Sequence, residues 1–268
     1  MWTFGNSLPR KVTFFLGLVP FLVLIGLYSY FSYKRHLENP RDKFLPNAKQ
    51  LLNAVKKSTR SNPRTGNIDL LVDIKASLKR IALAMLISIL SAIWFGLTMG
   101  AFPGIEAIML NFVNLISFVP PLVLLPLVFI FVGIGESAKI LIIFLGTFFI
   151  LTRDIYLKIK NTPIKLVHKG YTLGASTLEV VFKIMLPYSW PGILQSTRLA
   201  ITQGWIYLIA AEMISASEGL GYRINVVQRQ LAVNTILWYI FVIALIAFLV
   251  DRSILLWINY FHPYHDKG

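Results

Sequence analysis

Apolar residues in this chain come in long runs, with Lys and Arg gathered in the stretches between them. Four runs, residues 13–33, 81–102, 107–134 and 231–250, each suffice for one helical crossing of a bilayer, which takes about 20 residues. Two more, 137–152 and 195–214, have shorter apolar cores, and the second is bounded by Arg198 and Glu212. The pattern predicts an all-α membrane protein with about six transmembrane helices. In the third run Pro120, Pro121 and Pro126 remove backbone donors, so a kink or break is expected there, lined by protein or water.

Residues 34–80 form a polar stretch with twelve Lys or Arg and with Pro40, Pro46 and Pro63, a basic loop containing short helices. At its end Leu71, Ile74, Leu78 and Ile81 share one helical face while Asp69, Asp73, Lys75 and Lys79 lie elsewhere. That spacing predicts an amphipathic helix leading into the next crossing and able to lie at the membrane surface. Residues 153–191 leave the membrane again. There Gly174 separates two short helical stretches, and in the second Leu178, Val181, Phe182 and Met185 fall at i, i+3, i+4 and i+7. Pro187 is expected to end that helix. A protruding apolar helix of this kind needs either a groove on another protein or the lipid headgroups.

Composition agrees with the pattern: 56% of residues are hydrophobic, 14% are charged, and the mean hydropathy is +0.67. The net charge of +14 would suggest nucleic acid for a soluble chain. Here the cations lie between apolar runs, where they orient helices or meet anionic lipid, and no nucleic-acid partner is expected. Without cysteine there is no disulfide or thiolate metal site, and His36, His168, His262 and His265 form no helical pair with a carboxylate, so no metal is expected. Arg10 and Lys11 precede the first run, but it is too long for a signal peptide and no small-residue cleavage site follows, so it reads as a retained anchor. The organisation is then an anchor at 1–33, the basic loop at 34–80, a core at 81–258 with the emergent loop 153–191, and a tail at 259–268.

Polar residues inside the apolar runs are the candidate path. Arg198, Thr202, Trp205, Ile209 and Glu212 share one stripe. Glu212 is expected to face a path or gate, and Arg198 either does so or snorkels to the interface. Asn111, Asn114 and Ser117 share another face, where helix-to-helix hydrogen bonding and solute contact are both open. Asp251 and Arg252 follow the last run as an interfacial anchor.

The segment HKGYTLGASTLEVVFKIMLP, from His168 to Pro187, carries the spacing G-x9-I-x-L-P through Gly174, Ile184, Leu186 and Pro187, which resembles the EAA loop of ABC-importer permeases. SLKRI from Ser77, VPPLVLLPLVFIFVGIGESAKI from Val119, TLGAS from Thr172, STRLAITQGWIYLIAAEMI from Ser196 and EGLGYRI from Glu218 extend the resemblance, in order, to the nitrate, sulfonate, taurine and bicarbonate group of the type I (MetI-like) superfamily. The resemblance implies a permease subunit in the bacterial inner membrane. It implies docking to a separate ATPase through Gly174, Leu178, Val181, Phe182, Ile184, Met185, Leu186 and Pro187. It also implies a partner binding protein, a permease homodimer, and a small anion such as a sulfonate, nitrate or bicarbonate as solute, although the group also includes importers of neutral and heterocyclic compounds. ATP and Mg would sit on the ATPase; this chain has no G-x-x-x-x-G-K-[ST] loop and is not expected to be an enzyme. His168, Lys169 and Gly170 stand where the group has Glu-Ala-Ala, so the acidic start of that loop is missing, and the basic loop is longer than the group leads one to expect. An ion-coupled transporter working without an ATPase, through Glu212 and Arg198, is the alternative.

One conflict remains in the sequence. Docking puts residues 153–191 inside, and six crossings then put the basic loop outside, against the positive-inside tendency.

Overall fold

The computed structural model describes residues 9–40, 42–63 and 66–261, which form helices and short connections. His262 and His265, and most of the expected tail, lie outside the described residues. Helix α1 spans Arg10–Glu38, α2 Ala48–Thr59, α3 Asp69–Ala101, α4 Pro103–Ser117, α5 Leu125–Val132, α6 Glu136–Lys160, α7 Ile164–Thr172, α8 Thr177–Val180, α9 Leu186–Ser215, α10 Leu220–Arg229 and α11 Val233–Phe261. Among the described residues α1, α3, α6 and α11 are long and apolar enough to cross a membrane. Two bent pairs bring the number to as many as six where each pair is one crossing: Pro103–Ser117 with Pro121–Val132 at 85°, and Thr177–Ser215 with Leu220–Arg229 at 51°.

The prolines act where the sequence places them. Pro120 and Pro121 separate α4 from a 3-10 turn, Pro121–Leu124, and the third crossing is broken as expected. The weak runs are complete helices, since α6 has 25 residues and α9 has 30. Their polar ends shortened the apolar cores without shortening the helices. Pro187 does not end a helix. It follows a π-helical turn, Val181–Met185, that joins α8 to α9 without a break, with the Leu186 N–H bonded to the Val181 carbonyl just before it.

The third correction concerns the helix before the second crossing. It does not lie on a surface; α3 is one helix of 33 residues, about 50 Å long, so the division drawn at residue 80 falls inside it. Ile74, Leu78 and Ile81 pack inward and Lys75 and Lys79 are exposed, but part of the polar side is turned inward as well. Asp73, Ser77 and Arg80 are buried, while Leu71 points outward. Where the surroundings are lipid, the polar face is the one that must find protein partners.

Helix directions follow from named contacts. Arg80 meets Glu136, Ser88 meets Thr147 at 2.7 Å, Gly96 seats Ile155 and Gly100 seats Ile159, so α3 and α6 run parallel. A Cβ on either glycine would lie 2.7 Å from the isoleucine, too close for contact, so these two positions set the helix separation. Helix α9 runs against α6: Ser189 donates to the Lys158 carbonyl at 3.1 Å and Tyr207 packs on Gly146. The start of α11 returns to the α3 start, with the Tyr239 hydroxyl 3.0 Å from Asp73. The basic loop therefore lies at one end of the bundle and α7–α8 at the other. The two loops are on opposite sides, as six crossings require, so a knob facing inside keeps the basic loop outside, against the positive-inside tendency.

The basic loop is ordered by its own contacts. The Tyr28 hydroxyl donates to the Pro46 carbonyl at 2.7 Å and Ser32 to the Leu45 carbonyl at 3.0 Å, tying the end of α1 down. Burial pushes the Asp42 carboxyl up, but the N–H groups of Phe44 and Leu45 and the Arg35 charge outweigh it and hold the pKa below the ordinary carboxylate value.

Candidate functional site

Two arrangements carry chemistry, one at each end. The first is a knob built by α7, α8 and the π turn. Gly174 has φ +82, in the left-handed region that an L side chain rarely adopts, and it reverses the chain between α7 and α8. Ser176 then caps α8, accepting from the Glu179 N–H at 3.4 Å while the Glu179 carboxylate accepts from the Ser176 N–H at 3.0 Å, a reciprocal capping box. Lys183 donates to Glu179 at 2.8 Å, and with the Ser176 donors it holds that carboxyl down to about 2. Gly170 lets the two helices touch: a Cβ there would meet Ile184 at 2.5 Å. The knob is thus fixed from both sides of its turn.

Its apolar stripe is divided. Leu178 is 60% exposed and Phe182 48%, with Leu173 beside them, whereas Val181 is 3% exposed and packs inward, and Ile184, Met185 and Leu186 are half-buried. Val181 is corrected from a surface residue to the root of the knob. The physical reason is the side of the short helix that faces the bundle: Val180, at the end of α8, and Val181 are buried there together.

The second arrangement is a buried polar latch. Arg80, 3% exposed, places its Nε and Nη2 on the two Glu136 oxygens at 2.6 and 2.9 Å. Its Nη1 donates to Glu212 Oε1 at 2.7 Å and to the Glu218 carbonyl at 2.7 Å. Glu212, 0% exposed, also accepts from the Ser77 hydroxyl and from the Gly221 N–H at 2.9 Å. Asp73 accepts from the Gly219 N–H at 3.0 Å, from Arg223 at 2.8 Å and from Tyr239. Ser77 in turn accepts from the Leu220 N–H at 2.9 Å. One face of α3 thereby grips the Gly219–Leu220–Gly221 turn between α9 and α10. Gly219 has φ +127, and a Cβ there would lie 2.6 Å from Glu212, so only glycine fits.

The stripe read along α9 divides among different surroundings. Glu212 is enclosed in the latch, Trp205 is buried, Thr202 is exposed, and Arg198 pairs with Asp251 of α11. Asp251, expected at an interface, is inside α11, which continues to Phe261. Asn111 is exposed, and the Asn114 Oδ1 is screened from solvent with no hydrogen-bond partner among the described residues. Sequence reasoning missed Asp73, Ser77, Arg80, Glu136, Arg223 and Tyr239. The available signal was Asp69, Asp73, Ser77 and Arg80 recurring at helical spacing, matched by the turn in EGLGYRI.

The profile of the family described as binding-protein-dependent transport system inner membrane component matches residues 84–264. The chain belongs to that family. The match begins within α3, so α1, α2 and the gripping face of the latch precede it. The permease is 36% identical to the taurine transport system permease protein TauC of Escherichia coli (strain K12), over 72% of this chain and 70% of that one. A second Escherichia coli (strain K12) relative, SsuC, named for aliphatic sulfonates transport, is 33% identical over 58% of this chain and 60% of its own. Among solved structures, inward-facing MetNI methionine ABC transporter matches with TM-score 0.54 at 19% identity, covering 69% of this chain and 95% of that one. An amino acid ABC transporter crystallised with histidines matches with TM-score 0.55 at 15% identity, covering 72% and 92%. The permease therefore has the type I importer fold and is a membrane-spanning permease subunit of an ABC importer, in a family of inner membrane components.

Proposed function

We propose that the permease works as a homodimer in the bacterial inner membrane, receives a small sulfonate-like anion from an external binding protein, and is driven by an ATPase seated on the knob. The observation that carries the docking reading is a rigid turn with Leu173, Leu178 and Phe182 exposed, at the bundle end opposite the basic loop. Apolar groups held rigidly outside the span fit a groove on another protein. ATP and Mg belong to that partner, and hydrolysis there would move the knobs against each other. With His168 and Lys169 at the start of the loop, docking rests on the apolar residues and not on an acidic side chain. The names of TauC and SsuC support the choice of anion.

Thr202, Asn111 and Asn114 line the path in this reading: Thr202 and Asn111 are exposed on α9 and α4, and Asn114 has an oxygen without a partner among the described residues. The unpartnered Asn114 Oδ1 favours a donor from outside the chain, on a second copy or on the solute. Coupling to an ion through Glu212 would need a carboxylate open to a path, and its enclosure by Arg80, Ser77 and Gly221 argues against that.

The test is reconstitution with the cognate ATPase and binding protein. Vanadate-sensitive ATP hydrolysis and taurine uptake should both require the ATPase, and Leu178→Asp with Phe182→Asp should abolish co-purification. Uptake by the permease alone, or unchanged association of the double variant, would refute the reading.

A further inference from the structure

The latch end also holds a cavity of about 690 Å³, walled by the end of α2 and the residues after it, the first turn of α3, α10 and the start of α11. Its charged wall residues are Lys56, Lys57, Arg60 and Arg223, against Asp69 alone. Asp69 already lies 3.4 Å from Arg223. Lys56, Lys57 and Arg60 have no carboxylate within 4 Å among the described residues. These three side chains are exposed, yet they stand on an anchored helix: the Asn47–Gln50 capping box starts α2, Ala54 and Ser58 are buried beneath it, and Asn234 of α11 donates to the Gln50 carbonyl at 3.2 Å. Holding like charges around one concavity costs repulsion and focuses a positive potential inside it.

We infer that this cavity binds a tetrahedral oxyanion of the phosphate or sulfonate type. Ammonium groups supply point charges to such a ligand, and the planar guanidinium groups offer paired N–H donors that match two of its oxygens. The Thr235 hydroxyl stands in the same wall as a further donor, whereas those of Ser58 and Ser61 are given to the Val55 and Gly66 carbonyls. Arg223 also holds Asp73, so an anion here competes with the latch for one guanidinium and is sensed by the Gly219–Gly221 turn. The inference rests on the walls of the cavity and is independent of what the permease carries. The ligand comes either from free oxyanion in solution or from the phosphate of an anionic lipid.

The experiment uses the full permease in phosphatidylcholine nanodiscs with radiolabelled sulfate as probe, and phosphatidylglycerol as competitor. The expected result is saturable binding that weakens at least about tenfold in Lys56→Gln/Lys57→Gln/Arg60→Gln, with an unchanged melting temperature because the three side chains are exposed. Removing the same charge outside the cavity, in Lys34→Gln/Lys43→Gln/Lys49→Gln, leaves binding intact. Displacement of sulfate by phosphatidylglycerol assigns the site to lipid phosphate, and its absence assigns it to free oxyanion; both uphold the site. Equal loss in the two triple variants would mean general basicity and overturn it. Failure of the wild type to bind sulfate and to retain phosphatidylglycerol better than the cavity variant would overturn it as well.

Discussion

The two ends of the permease solve opposite problems. At the latch every buried charge has partners within the chain: Arg80 alone joins Glu136, Glu212 and the Glu218 carbonyl. At the knob Leu178 and Phe182 are left in the open on a turn that glycine and a capping box make rigid. Polar groups are satisfied where they must stay still, and apolar groups are left unsatisfied where something is to be bound. The latch is therefore expected to carry stability and the knob to carry association.

The strongest way to break that division is at Arg80. Replacing it by Met leaves Glu212 buried without its counter-charge, and removing one member of a buried pair costs about 3–5 kcal/mol. The melting temperature of purified Arg80→Met should fall sharply. Adding Glu212→Gln should recover part of the loss, because a neutral amide can still accept from Gly221 and bond to Ser77. Purely additive losses in the double variant would show that Arg80 acts by packing and not by its charge.

Why the latch stayed hidden in the sequence while the knob did not is a matter of range. The knob is local, and Gly174, Ser176, Leu178 and Phe182 lie within nine residues, so turn, cap and stripe can be read together. The latch joins Ser77 to Glu212 across 135 positions and Asp73 to Tyr239 across 166. Spacing within α3 hints at a polar face, but nothing in it says whether that face meets water or protein. The rule of apolar-inward burial does not carry over to a bilayer, where Leu71 can face outward while the buried Asp73 must find protein partners. Hydropathy located the four long apolar helices, the two bent pairs and the proline break, because each depends only on neighbouring residues. Asn111, Asn114, Thr202 and Arg198 could be seen as polar, whereas their surroundings depend on which helix lies alongside.

A smaller test sharpens the comparison at Gly174. With φ +82 an alanine there is strained by about 1–2 kcal/mol, although no atom lies within 4 Å of its Cβ. The strain should appear as faster amide exchange confined to residues 170–180 and as weaker ATPase association, while the melting temperature, governed by the latch end, moves little. A large drop in melting temperature would show that knob and bundle unfold as one unit and would erase the distinction between the ends.

The smallest effect is expected at Ser176. Its hydroxyl accepts from the Glu179 N–H and donates to the Glu179 carboxylate, so Ser176→Ala removes both bonds while Lys183 still holds that carboxylate. An N-cap exchange of this kind costs about 1 kcal/mol. Helix α8 has a single turn before the π segment, so the loss should loosen Leu178, which stands within that turn, more than Phe182, which stands beyond it. Exchange at the Glu179 and Val180 amides, both bonded to Ser176, should then rise by a factor of about five, the conversion of 1 kcal/mol. Ser176→Asp restores a capping acceptor but faces the Glu179 charge, and its exchange rates should fall between those of the other two. If Ser176→Ala and wild type exchange alike, the cap is not what makes the knob rigid, and its rigidity must come from the Gly170 contact with Ile184 alone.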